Sequence, residues 1–117
     1  MPDDLKVDSV QSVNTDTLGR TLNSARANHF VIDSSSGPAE AVTSGEAFLA
    51  GISSCGVNVV NGAARQRQVP LQHVEVEIDG VRSAQNTADF LRIDVRFRMD
   101  GPNAVQAEAL VQHWQSV

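Results

Sequence analysis

The chain has 117 residues, enough to bury the core of one domain, and a formal net charge of -5. This acidity gives little attraction for nucleic acid or anionic membranes, so we expect neither as a partner. A single cysteine and the lack of a signal-peptide core predict a reducing, cytoplasmic location. The apolar run over residues 47–60 is too short and too polar for a membrane span, which needs about 20 apolar residues.

The first third of the chain predicts strands and turns. Residues 1–10 are polar with weak alternation, as in a frayed arm or an edge strand. Residues 13–22 indicate a turn between strands, with Gly19 as its flexible point. Residues 26–33 alternate and predict a strand. The small, Gly/Pro/Ser-rich residues 34–45 predict a loop.

The longest helical pattern occupies residues 43–70. Thr43 and Glu46 form a predicted capping box, so the helix begins at about Ser44. Arg65 and Arg67 suit its last turn, and Pro70 ends it. Apolar residues cover nearly the whole circumference, which is typical of a helix at the centre of a fold or in an interface. Its most regular apolar face comprises Phe48, Ile52, Cys55, Val59 and Ala63.

A change to period two after this helix predicts an antiparallel hairpin of residues 73–79 and 90–99. Its predicted inward side chains are Val74, Val76, Ile78, Leu91, Ile93, Val95, Phe97 and Met99. On the solvent face, acids should lie opposite arginines: Glu75, Glu77 and Asp79 against Arg92, Arg96 and Arg98. We interpret these charges as setting register and solubility rather than forming an arginine-lined binding site.

The last segment predicts a turn at residues 100–103 and a second helix over residues 104–117. Candidates for its buried side are Val105, Ala109, Val111 or Gln112, and Trp114. The helix pattern stops without a Gly, Pro or basic cap, so the sequence looks cut off there.

Cys55 is the candidate nucleophile. A thiolate there would need a nearby cation, and Arg20, Arg26, Arg65 or Arg67 could supply one through a tertiary or inter-subunit contact. Otherwise the residue is a small packed hydrophobe. The histidines His29, His73 and His113 lack metal-ligand spacing, so we expect no metal and no cofactor.

These residues together carry a family resemblance. From about Arg26 onward the sequence resembles the OsmC/Ohr family of osmotically inducible and organic hydroperoxide resistance proteins. The helix start matches at Glu46, Leu49, Ala50, Ser54 and Cys55, and the following strand matches at Val69, Pro70, Leu71, Val74, Val76 and Ile78.

The resemblance implies an α+β fold in which a bent antiparallel sheet wraps a central buried helix, and two subunits interlock as a homodimer. It also implies a thiol peroxidase in which Cys55 attacks a small organic hydroperoxide and becomes a sulfenic acid. An assisting arginine stabilises the thiolate, and a glutamate holds the arginine.

The sequence departs from the family pattern in three places. The glutamate position, ten residues before the cysteine, is Gly45, and Glu46 is its neighbour. The arginine is Arg20 or Arg26, of which Arg26 is favoured. The resolving cysteine would come just after Val117, so we expect a single OsmC-like domain over residues 1–117 that lacks the family's C-terminal end. The alternative function is a non-catalytic dimeric module that binds a small apolar molecule at its interface, with Cys55 merely packed.

Overall fold

The computed structural model describes residues 4–117, which form five strands and two helices. Their order is β1 (Gln11–Asn14), β2 (Arg20–Ala25), β3 (Asn28–Asp33), α1 (Ser44–Gln66), β4 (His73–Val81), β5 (Arg92–Asp100) and α2 (Ala104–Ser116). The α+β class predicted from the sequence is confirmed. Contacts divide the chain into two compact units, residues 1–47 and 48–117. The prediction of one domain stays a prediction, as does the homodimer.

The first unit contains an antiparallel sheet in the order β1-β2-β3. The predicted turn lies between β1 and β2, and Gly19 adopts a φ of 81° there. A side chain at Gly19 would also meet the backbone of Gly37, 2.7 Å from its Cα. Glycine is therefore required both by the conformation and by the close approach of two backbones. The predicted N-terminal arm lies partly outside the described residues, and residues 4–10 have no regular structure.

The third strand begins later than the sequence predicts. Arg26 was expected to open it, but β3 starts at Asn28, which pairs with Ala25 of β2. Arg26 therefore lies in a two-residue reversal between these strands and has a φ of 56°. Such a tight turn needs a residue outside the β region, and this need overrides the alternation that placed Arg26 in a strand.

Helix α1 begins with the predicted capping box. The Glu46 amide donates to the Thr43 hydroxyl at 3.1 Å, and the Thr43 amide donates to the Glu46 carboxylate at 2.9 Å. Both bonds satisfy amides that have no partner within the helix. The helix ends at Gln66, one residue before Arg67, which was expected in its last turn. Gln68 then takes a φ of 56° and turns the chain away.

Replacing Thr43 by alanine should lower the free energy of unfolding by about 1 kcal/mol, because the hydroxyl that caps α1 is lost. Urea unfolding measures the change. Ser53→Ala is the matched control, since the Ser53 hydroxyl only donates to the Ala50 carbonyl inside the helix. Equal stability of the two variants would contradict the capping role.

The predicted hairpin is present in the second unit. Strands β4 and β5 pair so that Glu75 lies opposite Arg98 and Glu77 opposite Arg96. Arg96 donates to Asp79 at 2.9 Å and to Glu77 at 3.2 Å, and these hydrogen bonds raise the pKa of Arg96. The two acids and the arginine thus join the strands across the exposed face, as predicted.

Two details of the predicted hairpin are wrong. Arg92 lies opposite Val81 rather than an acid, so it pairs with Asp94 on its own strand at 3.0 Å. Leu91 precedes the strand and is 70% exposed, and Ile93 is 36% exposed. Alternation assigned both of these apolar side chains to the inner face, but the inner face does not extend to this end of β5.

The core of the second unit is small. Val60, Ala63 and Ala64 of α1 pack with Leu110 of α2, and partly buried side chains from the hairpin and the helix ends surround them. These surrounding residues are Val69, Leu71, Val74, Phe97, Met99 and Trp114. In α1 the buried residues are these three and Gly56, so most of the predicted apolar face is not buried by the described chain.

The buried side of α2 agrees with the prediction at Trp114, which packs against the core, but differs from it at Val105 and Ala109. Val105 is 78% exposed and Ala109 is also exposed, whereas Leu110 is 1% exposed. Leu110 and Trp114 are four residues apart and share one face, so the larger side chains select the side that meets the core. The helix begins with a second capping box, formed by Asn103 and Gln106.

By length and composition, helix α1 is long and apolar enough to cross a membrane. The apolar run over residues 47–60 was expected to be too short for a membrane span, whereas the whole helix has 23 residues. The core helix of a water-soluble protein meets the same criterion, so the criterion does not decide between the two. The predicted cytoplasmic location stays a prediction.

Candidate active site

Cys55 lies in an apolar hollow of the second unit and is exposed. The hollow has a volume of about 420 Å³ and is lined by Phe48, Gly51, Ile52, Cys55 and Trp114. The first four lie on α1, where Gly51 and Ile52 are each three or four residues from both Phe48 and Cys55, so the four share one helix face. Cys55 is therefore not the buried packing group that an apolar helix suggests.

Aromatic contacts form two sides of this hollow. Trp114 meets Phe97 of β5 edge to face, with ring centroids 5.1 Å apart. Phe48 stacks on Phe90, with centroids 5.9 Å apart and an angle of 15° between the rings. None of the described residues that line the hollow is charged. The site therefore suits the uncharged organic part of a small molecule rather than an anion.

An arginine and two acids form a compact network in the first unit. Arg20 donates from Nε and Nη2 to the two carboxylate oxygens of Asp33, at 2.7 and 2.8 Å. Its Nη2 also donates to Glu40 at 3.0 Å. Asp33 is fully buried and accepts the amides of Glu40 and Ala41 at 2.9 and 2.8 Å.

These contacts shift the two pKa values in opposite directions, so that each partner favours its charged form. The Arg20 guanidinium, with help from the two amides, holds the pKa of Asp33 well below its usual range although burial opposes this. Asp33 and Glu40 likewise raise the pKa of Arg20. The network is therefore an ion pair at any pH near neutrality, and it ties the loop after β3 to the sheet.

The two candidate arginines are placed very differently. Arg20 opens β2 and is held by Asp33, whereas Arg26 is exposed at the turn after the same strand. Both lie in the first unit, and Cys55 lies in the second. The assisting role of Arg26 stays a prediction. The sequence did not reveal the Arg20–Asp33 pair, although the two residues are direct partners in the β2–β3 register.

Glu46 has a structural role as the reciprocal partner in the α1 capping box. Glutamine serves equally well in such a box, so Glu46→Gln should leave the free energy of unfolding unchanged while Glu46→Ala lowers it. Urea unfolding of the two variants checks this, and equal losses would contradict it. Glu46→Gln then isolates the carboxylate: any loss of activity in that variant reports a role beyond the cap. Its predicted catalytic role is untested.

The histidines are engaged in local contacts. His29 shares a hydrogen bond with Ser24 at 2.8 Å, and His73 lies 3.3 Å from Glu75. Within residues 4–117, no three His, Cys, Asp or Glu side chains are grouped so that they could hold a metal ion.

The family and structure comparisons all identify the same fold, that of OsmC-like proteins. A family model described as OsmC-like protein matches residues 37–117. The structure of an OsmC-like protein from Mycoplasma pneumoniae has a TM-score of 0.81 at 15% identity, over 95% of this chain and 82% of that one. An OsmC-like protein of unknown function from Vibrio cholerae gives 0.83 at 12% identity, over 96% and 89%. No curated protein matches the chain.

A third structure is described as an organic hydroperoxide resistance protein OsmC and predicted redox protein from Legionella pneumophila. Its TM-score is 0.73 at 16% identity, over 97% of this chain and 85% of that one. Identities this low show the fold alone. Fold and site define an α+β protein with one exposed thiol beside an apolar hollow. Because the family model covers well over half of the sequence, the chain belongs to the OsmC-like protein family.

Proposed function

We propose that the protein reduces small organic hydroperoxides at Cys55. The observation that carries the proposal is the exposed thiol at the wall of an apolar hollow. The hollow can hold the organic group of an alkyl or aryl hydroperoxide, with the peroxide oxygens directed at the sulfur. The description of the Legionella pneumophila protein as a hydroperoxide resistance protein supports the same chemistry.

The proposed step transfers one oxygen atom to Cys55. The thiolate attacks the terminal oxygen of the hydroperoxide, so an S–O bond forms as the O–O bond breaks. Sulfur is oxidised to a sulfenic acid, and the leaving alkoxide takes a proton to become an alcohol. Two equivalents of an external thiol then regenerate Cys55 and release water and a disulfide. The external thiol serves as the reductant in this scheme, because the 117 residues contain no cysteine besides Cys55.

The proposal includes an assisting arginine, which would stabilise the thiolate. Arg26 is the residue predicted from the sequence, and Arg20 is its competitor. The Asp33 and Glu40 carboxylates bind Nε and Nη2 of Arg20, so these bonds do not occupy its Nη1. Arg20→Ala and Arg26→Ala, compared in one assay, separate the two candidates.

The proposal also includes a homodimer. Much of the predicted apolar face of α1 is uncovered by the described chain, and Phe48 is 55% exposed. Association with a second copy would remove such surface from water. Light scattering after gel filtration tests this: a mass twice that of the 12.5 kDa chain supports the dimer, and a single chain mass at micromolar concentration contradicts it.

Consumption of cumene hydroperoxide, with dithiothreitol as reductant, tests the peroxidase activity. The wild type should turn over, and Cys55→Ser should reduce the rate to that of dithiothreitol alone. Ser54→Ala is the matched control, because Ser54 is the exposed neighbour that does not line the hollow. Peroxide turnover that persists in Cys55→Ser would contradict the proposal, and so would the absence of turnover in the wild type.

One observation favours a second function, the binding of a small apolar molecule without catalysis. The described lining of the hollow supplies no cation that could stabilise a thiolate. The apolar fluorophore N-phenyl-1-naphthylamine is a suitable probe. Equal binding by the wild type and Cys55→Ser, together with no peroxide consumption by the wild type, would favour this alternative.

A further inference from the structure

Phe48 forms one side of the hollow and is largely exposed. Its side chain is 55% exposed, and its aromatic partner in the described chain is Phe90, which stacks on it. The same ring lines the hollow beside Cys55. The orientation of Phe48, and hence the room near the thiol, therefore depends on where Phe90 lies.

Phe90 is itself held in place by residues at the end of β4. Gly80 offers no side chain, and a methyl group there would overlap the Phe90 ring, 2.8 Å from Cδ1. The Arg82 guanidinium carbon lies 4.2 Å from the Phe90 ring centroid, within the range of a cation–π contact. Arg82 in turn donates to the Thr87 carbonyl at 3.1 Å within the same loop.

The loop that carries Phe90 is also tied down by its backbone. The Leu91 amide donates to the Val81 carbonyl at 2.7 Å, directly after Phe90. The Phe90 ring thus has its edge against Gly80 and one face against the Arg82 guanidinium. The Leu91–Val81 hydrogen bond holds the backbone next to it. An aromatic side chain fixed in this way contributes area and a defined geometry to the ring that it stacks on.

We propose that Phe90 is a positioning residue: through Phe48 it sets the size of the organic group that can reach Cys55. Removal of the Phe90 ring frees Phe48 to turn into the vacated space, which widens the hollow. Bulky groups then reach the thiol more easily, whereas small groups are unaffected. The inference deepens the proposed function and rests on it where the organic group belongs to a hydroperoxide.

Alkylation of Cys55 tests this inference without peroxide chemistry. The rate constants for N-benzylmaleimide and N-methylmaleimide are measured on each variant, and their ratio is taken. Both reagents react with the same thiolate, so the ratio cancels the thiolate fraction and reports the room around the sulfur. Phe90→Ala should raise the benzyl-to-methyl ratio at least about threefold, because a stacked aromatic partner of Phe48 is lost.

Leu91→Ala is the matched control, because Leu91 adjoins Phe90 in the chain but is 70% exposed. Its ratio should equal that of the wild type. If Phe90→Ala does not fold, Phe90→Leu and Arg82→Gln decide, and each should raise the ratio in the same direction. A ratio that is unchanged or lowered in the folded variants would overturn the inference.

The rates for cumene and tert-butyl hydroperoxide provide the second arm. If the wild type reduces both, Phe90→Ala should raise the cumene-to-butyl ratio of kcat/KM in parallel with the maleimide ratio. An unchanged ratio would contradict control of the substrate by Phe90. If the wild type reduces neither, the proposed function fails, and the maleimide ratio still decides the role of Phe90.

Discussion

Leu110→Ala is expected to lower the free energy of unfolding by about 2–5 kcal/mol, which is the usual cost of truncating a buried leucine. Leu110 is 1% exposed and is the largest side chain of the core formed with Val60, Ala63 and Ala64. The other three core residues are small, so they cannot move far enough to fill the space left by the three lost heavy atoms. A small core leaves few alternative packings.

Chemical unfolding followed by circular dichroism measures this loss. Val105→Ala is the matched control, because Val105 lies on the same helix and is 78% exposed. The control should change stability by no more than about 0.5 kcal/mol. A Leu110→Ala variant as stable as the control would show that α2 is not held by this core.

Asp33→Asn is expected to destabilise the protein near neutral pH more than Thr43→Ala does. In the wild type, Asp33 Oδ2 accepts from Arg20 and from the amides of Glu40 and Ala41, while Oδ1 accepts from Arg20 Nε. Asparagine has one acceptor oxygen, so its amide group would face a donor on one side. The guanidinium would also lose the charge that compensates its partial burial.

The effect should depend on pH with a definite sign. The pKa of Asp33 is lowered in the folded state, whereas an unfolded aspartate titrates near about 3.9. The ionised carboxylate therefore stabilises the fold fully above about pH 5, and this contribution is lost as the pH falls through 4 and below. The stability difference between wild type and Asp33→Asn should shrink over the same interval.

Thermal unfolding between pH 3 and pH 7 measures this difference. Asp89→Asn makes the same charge change in an exposed part of the β4–β5 loop. Its unfolding temperature should change with pH in parallel with that of the wild type. A constant gap between wild type and Asp33→Asn across the whole pH range would contradict the ion-pair account.

Local rules predicted the elements whose signals lie close together in the sequence. The capping box at Thr43 and Glu46 involves two residues three positions apart, and the alternation of β4 and β5 fixes which side chains share a face of the hairpin. Both therefore follow from the order of side chains alone. The family match around Cys55 confirmed the family recognised from the sequence.

Features that depend on register or on packing could not be predicted in this way. Arg20 and Asp33 meet only because β2 and β3 pair in one register, which a polar sequence does not specify strongly. The buried side of α2 is decided by Leu110 and Trp114 meeting a core whose position the sequence does not give. Alternation placed Phe90 in the second strand, but β5 begins at Arg92, so the stacking of Phe90 on Phe48 arises from a loop that the period-two pattern does not describe.

The most direct test of the central claim is the rate at which Cys55 reacts with cumene hydroperoxide. Stopped-flow mixing at pH 7 gives the rate, mass spectrometry identifies the sulfenic acid, and Cys55→Ser serves as the blank. The proposed function predicts oxidation at least about tenfold faster than free cysteine, a barrier lower by about 1.4 kcal/mol, and a gain of one oxygen at Cys55. Oxidation no faster than that of free cysteine would contradict it and leave Cys55 as part of an apolar binding surface.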